Sequence, residues 1–191
     1  MKKRTKGALW IGAGLVVLGG IALVVGPYLY VSYQSRVVST PPELDPTTAA
    51  TTTVNVNHLS GTWTVGSGSF AGYRVKEALV GQNTTVTGRT NRVTGTATVT
   101  GVTVTAATVS VDVGSIATTE PARDTYFRDT ALQVNQFPKA TFTFTNSVAV
   151  VRPTAGQPQS VTATGELTLH GVTKTVTVTL NAVLTGHGGG R

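Results

Sequence analysis

The sequence contains no cysteine, which excludes a disulfide-stapled scaffold, a thiolate metal site and a cysteine nucleophile. Charged residues fill only 12% of its 191 positions, about half the share of an average soluble domain. Aromatics are only 6%. No Lys/Arg cluster occurs beyond the first six residues, and the net charge of +7 is otherwise thinly spread. The concentrated basic face that nucleic acid requires is therefore missing, and a nucleic-acid partner is not expected. Threonine takes the place of charge, as in 93–113 and 161–184. Its β-branched side chain suits the solvated face of a sheet, which disfavours a helical bundle, a coiled coil and a charge-rich disordered chain.

The longest uncharged apolar run is Ala8–Val31, 24 residues. As a helix it would reach ~36 Å, enough to cross a hydrocarbon core with some tilt. Lys2, Lys3, Arg4 and Lys6 precede it and only Arg36 follows closely, so the N-terminus is expected to stay cytoplasmic and the rest to be exported. A cleaved signal peptide is the competing reading. The run is longer than a signal core, and bulky residues at Pro27-Tyr28-Leu29-Tyr30 replace the small ones a peptidase needs. The expected organisation is a basic segment at 1–7, a transmembrane helix at 8–31 and a stalk at 32–57 rich in Pro and Thr. A β domain at 58–191 follows, placed at the cell membrane on the extracytoplasmic side.

From Leu59 onward two-residue alternation dominates. Strands are expected at 62–65, 70–75, 84–89, 93–100, 102–113, 140–151, 161–170 and 174–184, separated by glycine turns such as Gly101 and Gly171. This spacing predicts an antiparallel meander. In 93–100 the odd positions are Val93, Gly95, Ala97 and Val99 and the even ones are all threonine. In 161–169 the odd positions are apolar or glycine, and in 176–180 the even ones are apolar. Each strand thus carries one apolar and one hydroxyl face. The parity switch at Ala106-Ala107 predicts a bulge there. Thr118-Thr119-Glu120-Pro121 is a helix-start signature, and the helix is expected to run to about Val134 as a lid or plug.

Catalytic chemistry is sparse. His58, His170 and His187 lack metal-ligand spacing, so no metal site is expected, and His170 reads as an exposed turn residue. No nucleophile elbow or phosphate-binding loop occurs. Arg123-Asp124 and Arg128-Asp129 read first as braces of the short helix, with Arg123 a candidate for an anionic headgroup.

Several segments carry a resemblance when taken in order. They are Trp63-Thr64-Val65, Ser69-Phe70-Ala71-Gly72-Tyr73-Arg74-Val75 and Val86-Thr87-Gly88-Arg89-Thr90. Val111-Asp112-Val113, Ser115-Ile116, Arg123-Asp124, Phe127 and Phe137-Pro138-Lys139-Ala140-Thr141-Phe142 follow, then Gly165–Lys174. Over 62–184 the sequence resembles the YceI-like family of exported or periplasmic polyisoprenoid-binding domains, in particular its actinobacterial branch. The resemblance implies an all-β fold, an antiparallel lipocalin-like barrel with one short helix, and a lumen that holds a long isoprenoid lipid such as a quinone or polyprenyl phosphate. Family members continue past the position of Leu184 through further strands, whereas Gly186–Arg191 has no strand character, so the expectation is either a truncated or frameshifted sequence with an incomplete barrel or a barrel that closes with fewer strands.

The lumen is expected to be lined by Val93, Ala97 and Val99, then Phe142 and Phe144, then Ala163, Leu167 and Leu169, and Val176 and Val178. A membrane-tethered, non-enzymatic isoprenoid carrier follows, with no cofactor beyond the lipid and no catalytic residue. The alternatives are a hydrolase of lipid or cell-wall substrate and a ligand-free stress-protective surface domain.

Overall fold

Valine and threonine in strict alternation leave the backbone one comfortable choice, and every alternating segment after Leu59 is a strand. The computed structural model describes residues 59–79, 82–150 and 157–184. The strands are β1 (Gly61–Thr64), β2 (Ala71–Leu79), β3 (Gln82–Thr90), β4 (Val93–Thr100) and β5 (Thr103–Asp112). They continue as β6 (Lys139–Phe144), β7 (Val148–Ala149), β8 (Pro158–Leu169) and β9 (Val172–Val183). The basic segment expected at 1–7, the transmembrane helix expected at 8–31 and the whole stalk at 32–57 lie outside the described residues. Among the described ones no helix is long and apolar enough to cross a membrane.

The chain divides into two compact units, one of which includes residues 73–87 and the other 41–72 with 88–191. The first contributes most of the β2–β3 hairpin, a two-stranded sheet in which Thr84 and Val86 are buried. The second carries the main sheet, ordered β1-β4-β5-β6-β8-β9 with β7 beside β5, antiparallel throughout.

The simple meander expected from the turns is thus corrected at two points. β1 pairs with β4, so the β2–β3 hairpin that separates them in sequence is not part of the main sheet, and Arg89 near the end of β3 bridges Ala117. The strand expected at 140–151 is broken. β6 stops at Phe144, and Val148-Ala149 turns back to pair with Thr103 and Val104. Among the described strands the order is an open path whose two edges are β1 and β9.

The parity reading holds across the sheet. Residues opposite one another share a face. One row runs Gly95, Val109, Phe142, Leu167 and a second Phe144, Gly165, Val176. On β4 the valines, Gly95 and Ala97 are half-buried and every threonine is exposed. The bulge falls one residue before the predicted place: Thr98 pairs with Ala106 and Val99 with Val104, leaving Thr105 unpaired in register. Its hydroxyl donates to the Thr98 carbonyl at 3.2 Å, which supplies a local partner at the irregularity.

Two hairpins show why the turns fall where they do. His170 and Gly171 link β8 to β9 with φ of 52° and 71°, the positive pair that a two-residue loop of right-handed twist needs. Gly101 (φ 62°) opens the β4–β5 turn.

The helical insert is shorter than predicted. An α-helix, α1, covers Pro121–Tyr126, and a π-turn covers Phe127–Ala131. The Leu132 N–H donates to Phe127 O at 3.0 Å, and Gln133 leaves the helical region at φ 47°. That over-wide turn ends the helix before Val134.

Candidate functional site

The two faces of the main sheet differ in chemistry. Outward rows carry hydroxyls: Thr164 and Thr177 are 3.2 Å apart, Thr168 and Thr173 2.7 Å. The inward rows hold all ten predicted lumen residues. Val93, Ala97 and Val99 on β4, Phe142 and Phe144 on β6, Leu167 on β8 and Val176 and Val178 on β9 are half-buried. Ala163 is 1% exposed and Leu169 is 38% exposed at the rim. Register puts Val178 opposite Ala163 and Leu167 opposite Phe142, so these side chains share one continuous apolar surface.

Glycine shapes that surface. A Cβ on Gly165 would lie 2.5 Å from the Thr143 carbonyl oxygen and 2.6 Å from the Phe142 ring, so the ring rests on the bare strand backbone. Phe144 meets Phe142 edge-on, with centroids 5.8 Å apart. Among the described residues no large side chain is fully buried. Bulky apolar groups therefore line this face without closing over it.

At the end formed by the β4–β5 turn, the start of β8 and the end of β9, the face deepens into a pocket of about 250 Å³. Trp63 and Leu59 line it from the β1 side and Val99, Val102 and Val104 from the β4–β5 turn. Val161, Ala182, Val183 and Leu184 line it from β8 and β9, with Val150 and Gln159 also on its wall. Both edge strands contribute, so the sheet curls until its edges meet one space. The Trp63 indole donates to the Leu59 carbonyl at 3.0 Å, which satisfies the N–H and leaves the ring, 47% exposed, as an apolar wall. Of the predicted lining only Val99 touches this pocket. Trp63 was missed as a lining residue, although its offset of two from Val65 placed both on one face.

The opposite end carries the insert and is polar. Asp124 is buried, and one oxygen accepts from the Thr118 N–H at 2.9 Å and the Thr118 hydroxyl at 2.8 Å. Asp112 caps the short turn Val113–Ser115 by accepting from the Gly114 N–H at 3.1 Å, and Ser115 and Thr90 hydroxyls lie 2.6 Å apart. Phe137 packs edge-on against His170, centroids 4.9 Å apart, and covers Gly171, where a Cβ would fall 2.6 Å from its ring. His170 is a turn residue, as predicted, but half-buried rather than exposed, because Phe137 covers it and its Nε2 lies 3.3 Å from Gln133 Oε1. Arg123 sits half-buried on α1 with an interaction of its own, outside the rows of the apolar face. Among the described residues no group of three or more His, Asp or Glu side chains could hold a metal.

An antiparallel sheet with a curled apolar face and a braced helical insert at one end defines a class of all-β domain. The chain belongs to the YceI-like family, whose domain model matches residues 43–190. That match begins inside the segment read as stalk. Among solved structures, the chain is similar to a polyisoprenoid-binding domain from Saccharophagus degradans implicated in plant cell wall breakdown, at 21% identity and TM-score 0.52. The alignment covers 66% of this chain and 70% of that one, and the likeness is one of fold. A YceI protein from Campylobacter jejuni is more distant, at 14% identity and TM-score 0.33, with 74% and 67% covered. No curated protein matches the chain.

Proposed function

We propose that this chain is a membrane-tethered, non-enzymatic carrier or sequestering protein of the actinobacterial YceI-like branch, which holds a long isoprenoid lipid on the extracytoplasmic side. Residues 8–31 anchor it, 32–57 tether the domain near the bilayer, and the curled sheet closes into a lipocalin-like barrel around the ligand. One observation carries this reading: a continuous apolar face whose large side chains stay half-covered, ending in an open pocket walled almost wholly by apolar groups. Each ligand CH₂ buried there would contribute ~0.8 kcal/mol, so a few isoprene units suffice for retention without a specific polar contact. The Saccharophagus domain, described as polyisoprenoid-binding, supports the same ligand class.

The test is organic-solvent extraction of the full chain purified from membranes, followed by mass spectrometry. The reading expects a stoichiometric isoprenoid. A lipid-free protein with the same melting behaviour would favour the ligand-free surface domain. Ester hydrolysis abolished by a serine substitution would favour the hydrolase.

A further inference from the structure

The inward face of the main sheet is apolar at nearly every register position, and its exceptions stand at opposite ends. Gln159, opposite Ala182, belongs to the pocket end. Lys174, opposite Leu167, belongs to the insert end and completes the row Gly95, Val109, Phe142, Leu167. It is the one charged side chain on the inward rows of the described sheet. Its neighbours on that face, Val172 and Val176 along β9 and Leu169 across it, are apolar. Lys174 is exposed, and no ion-pair partner is recorded for it among the described residues. An ammonium at the rim of an apolar surface stays solvated only by reaching water or an anion.

From Lys174 to Ala182 the strand runs ~27 Å along the face, ending in the pocket walled by Trp63 and Leu184. A cation at one end and an apolar track leading away from it to a pocket is complementary to an amphiphile with an anionic head. A neutral head accepts only a hydrogen bond from the ammonium, whereas a phosphate accepts a charge-assisted one between opposite charges, which is stronger.

We infer that Lys174 is the headgroup contact of this site, which selects phosphate-bearing isoprenoids over neutral ones and orients them with the head at the insert end and the tail toward Trp63. This rests on the isoprenoid reading above and narrows it.

The experiment titrates the full chain in detergent with farnesyl diphosphate, farnesol and inorganic diphosphate, and reads the diphosphate-to-alcohol affinity ratio for the wild type, Lys174→Gln, Lys174→Arg and Arg123→Gln. The ratio is expected to favour the diphosphate, to fall by about three- to tenfold in Lys174→Gln and to be restored by Lys174→Arg, the size of one solvent-accessible charge contact. A lysine that only covers apolar surface with its stem would shift both ligands alike. An equal ratio in wild type and Lys174→Gln overturns the inference, as does loss of the ratio only in Arg123→Gln. Inorganic diphosphate binding as tightly as the lipid overturns it too, by showing a plain anion site. Absence of binding by farnesol and farnesyl diphosphate together would instead overturn the isoprenoid reading itself.

Discussion

At the insert end of the sheet Asp124 holds Thr118 by two hydrogen bonds and Phe137 lies against His170 and Gly171. At the other end Trp63, Val102 and Leu184 surround open apolar space. Of the segments that carry the family resemblance, 111–116, 123–142 and 165–174 lie at or run toward the first end, whereas Trp63 walls the cavity at the second. Motif density therefore marks the part of the fold that needs fixed geometry: a buried carboxylate, a positive-φ turn, a ring on a glycine. The cavity needs only apolar bulk at the right parity, which many sequences supply.

The largest effect should come from the glycine on which the face is built. Gly165→Leu would drive Cβ into the Thr143 carbonyl and the Phe142 ring, and is expected to cost about 3 kcal/mol in thermal or denaturant melting. A neutral outcome would mean that the Phe142 ring can leave the face and that the β6 backbone can shift away from β8. Next comes the brace: Asp124→Ala leaves the Thr118 N–H without its buried acceptor and should cost about 1–3 kcal/mol, with Asp124→Asn milder because it keeps an acceptor.

Two alanines of the apolar face should then separate in their response to added volume. Ala97→Phe, opposite Trp63, should displace co-purified lipid while the protein still melts cooperatively. Ala163→Phe, at a 1% exposed position, should overpack by about 1–3 kcal/mol. Equal destabilisation by both, with no lipid in the parent protein, would describe a packed core. The smallest effect belongs to the Arg92–Asp112 pair, 3.3 Å apart with side chains 75% and 37% exposed; Arg92→Ala should change stability by about 0.5 kcal/mol or less.

Parity made most of this legible. The faces of β4, β8 and β9 were readable from alternation alone because threonine and valine differ in polarity at every step. The reading stopped short where it mattered most: the even-position rule, seen at 176–180, extends two residues back to Lys174, whose charge broke the apolar pattern without leaving the face. The helix was overextended because its periodicity continues through residues where the backbone widens into a π-turn, and side-chain pattern does not report backbone hydrogen bonds. The pairing of β1 with β4 was not legible either. It depends on where the β2–β3 hairpin is set aside, and local alternation carries no information on partner choice.

The central claim is that the curled apolar face takes up an apolar chain that reaches the Trp63 pocket. The sequence has two tryptophans, Trp10 and Trp63, so Trp10→Phe leaves Trp63 as the only indole. Farnesol titrated into that full-length variant should blue-shift Trp63 emission saturably, and Ala97→Phe should abolish the shift. Emission that does not respond to farnesol, or that drifts without saturation equally in both variants, would contradict the account.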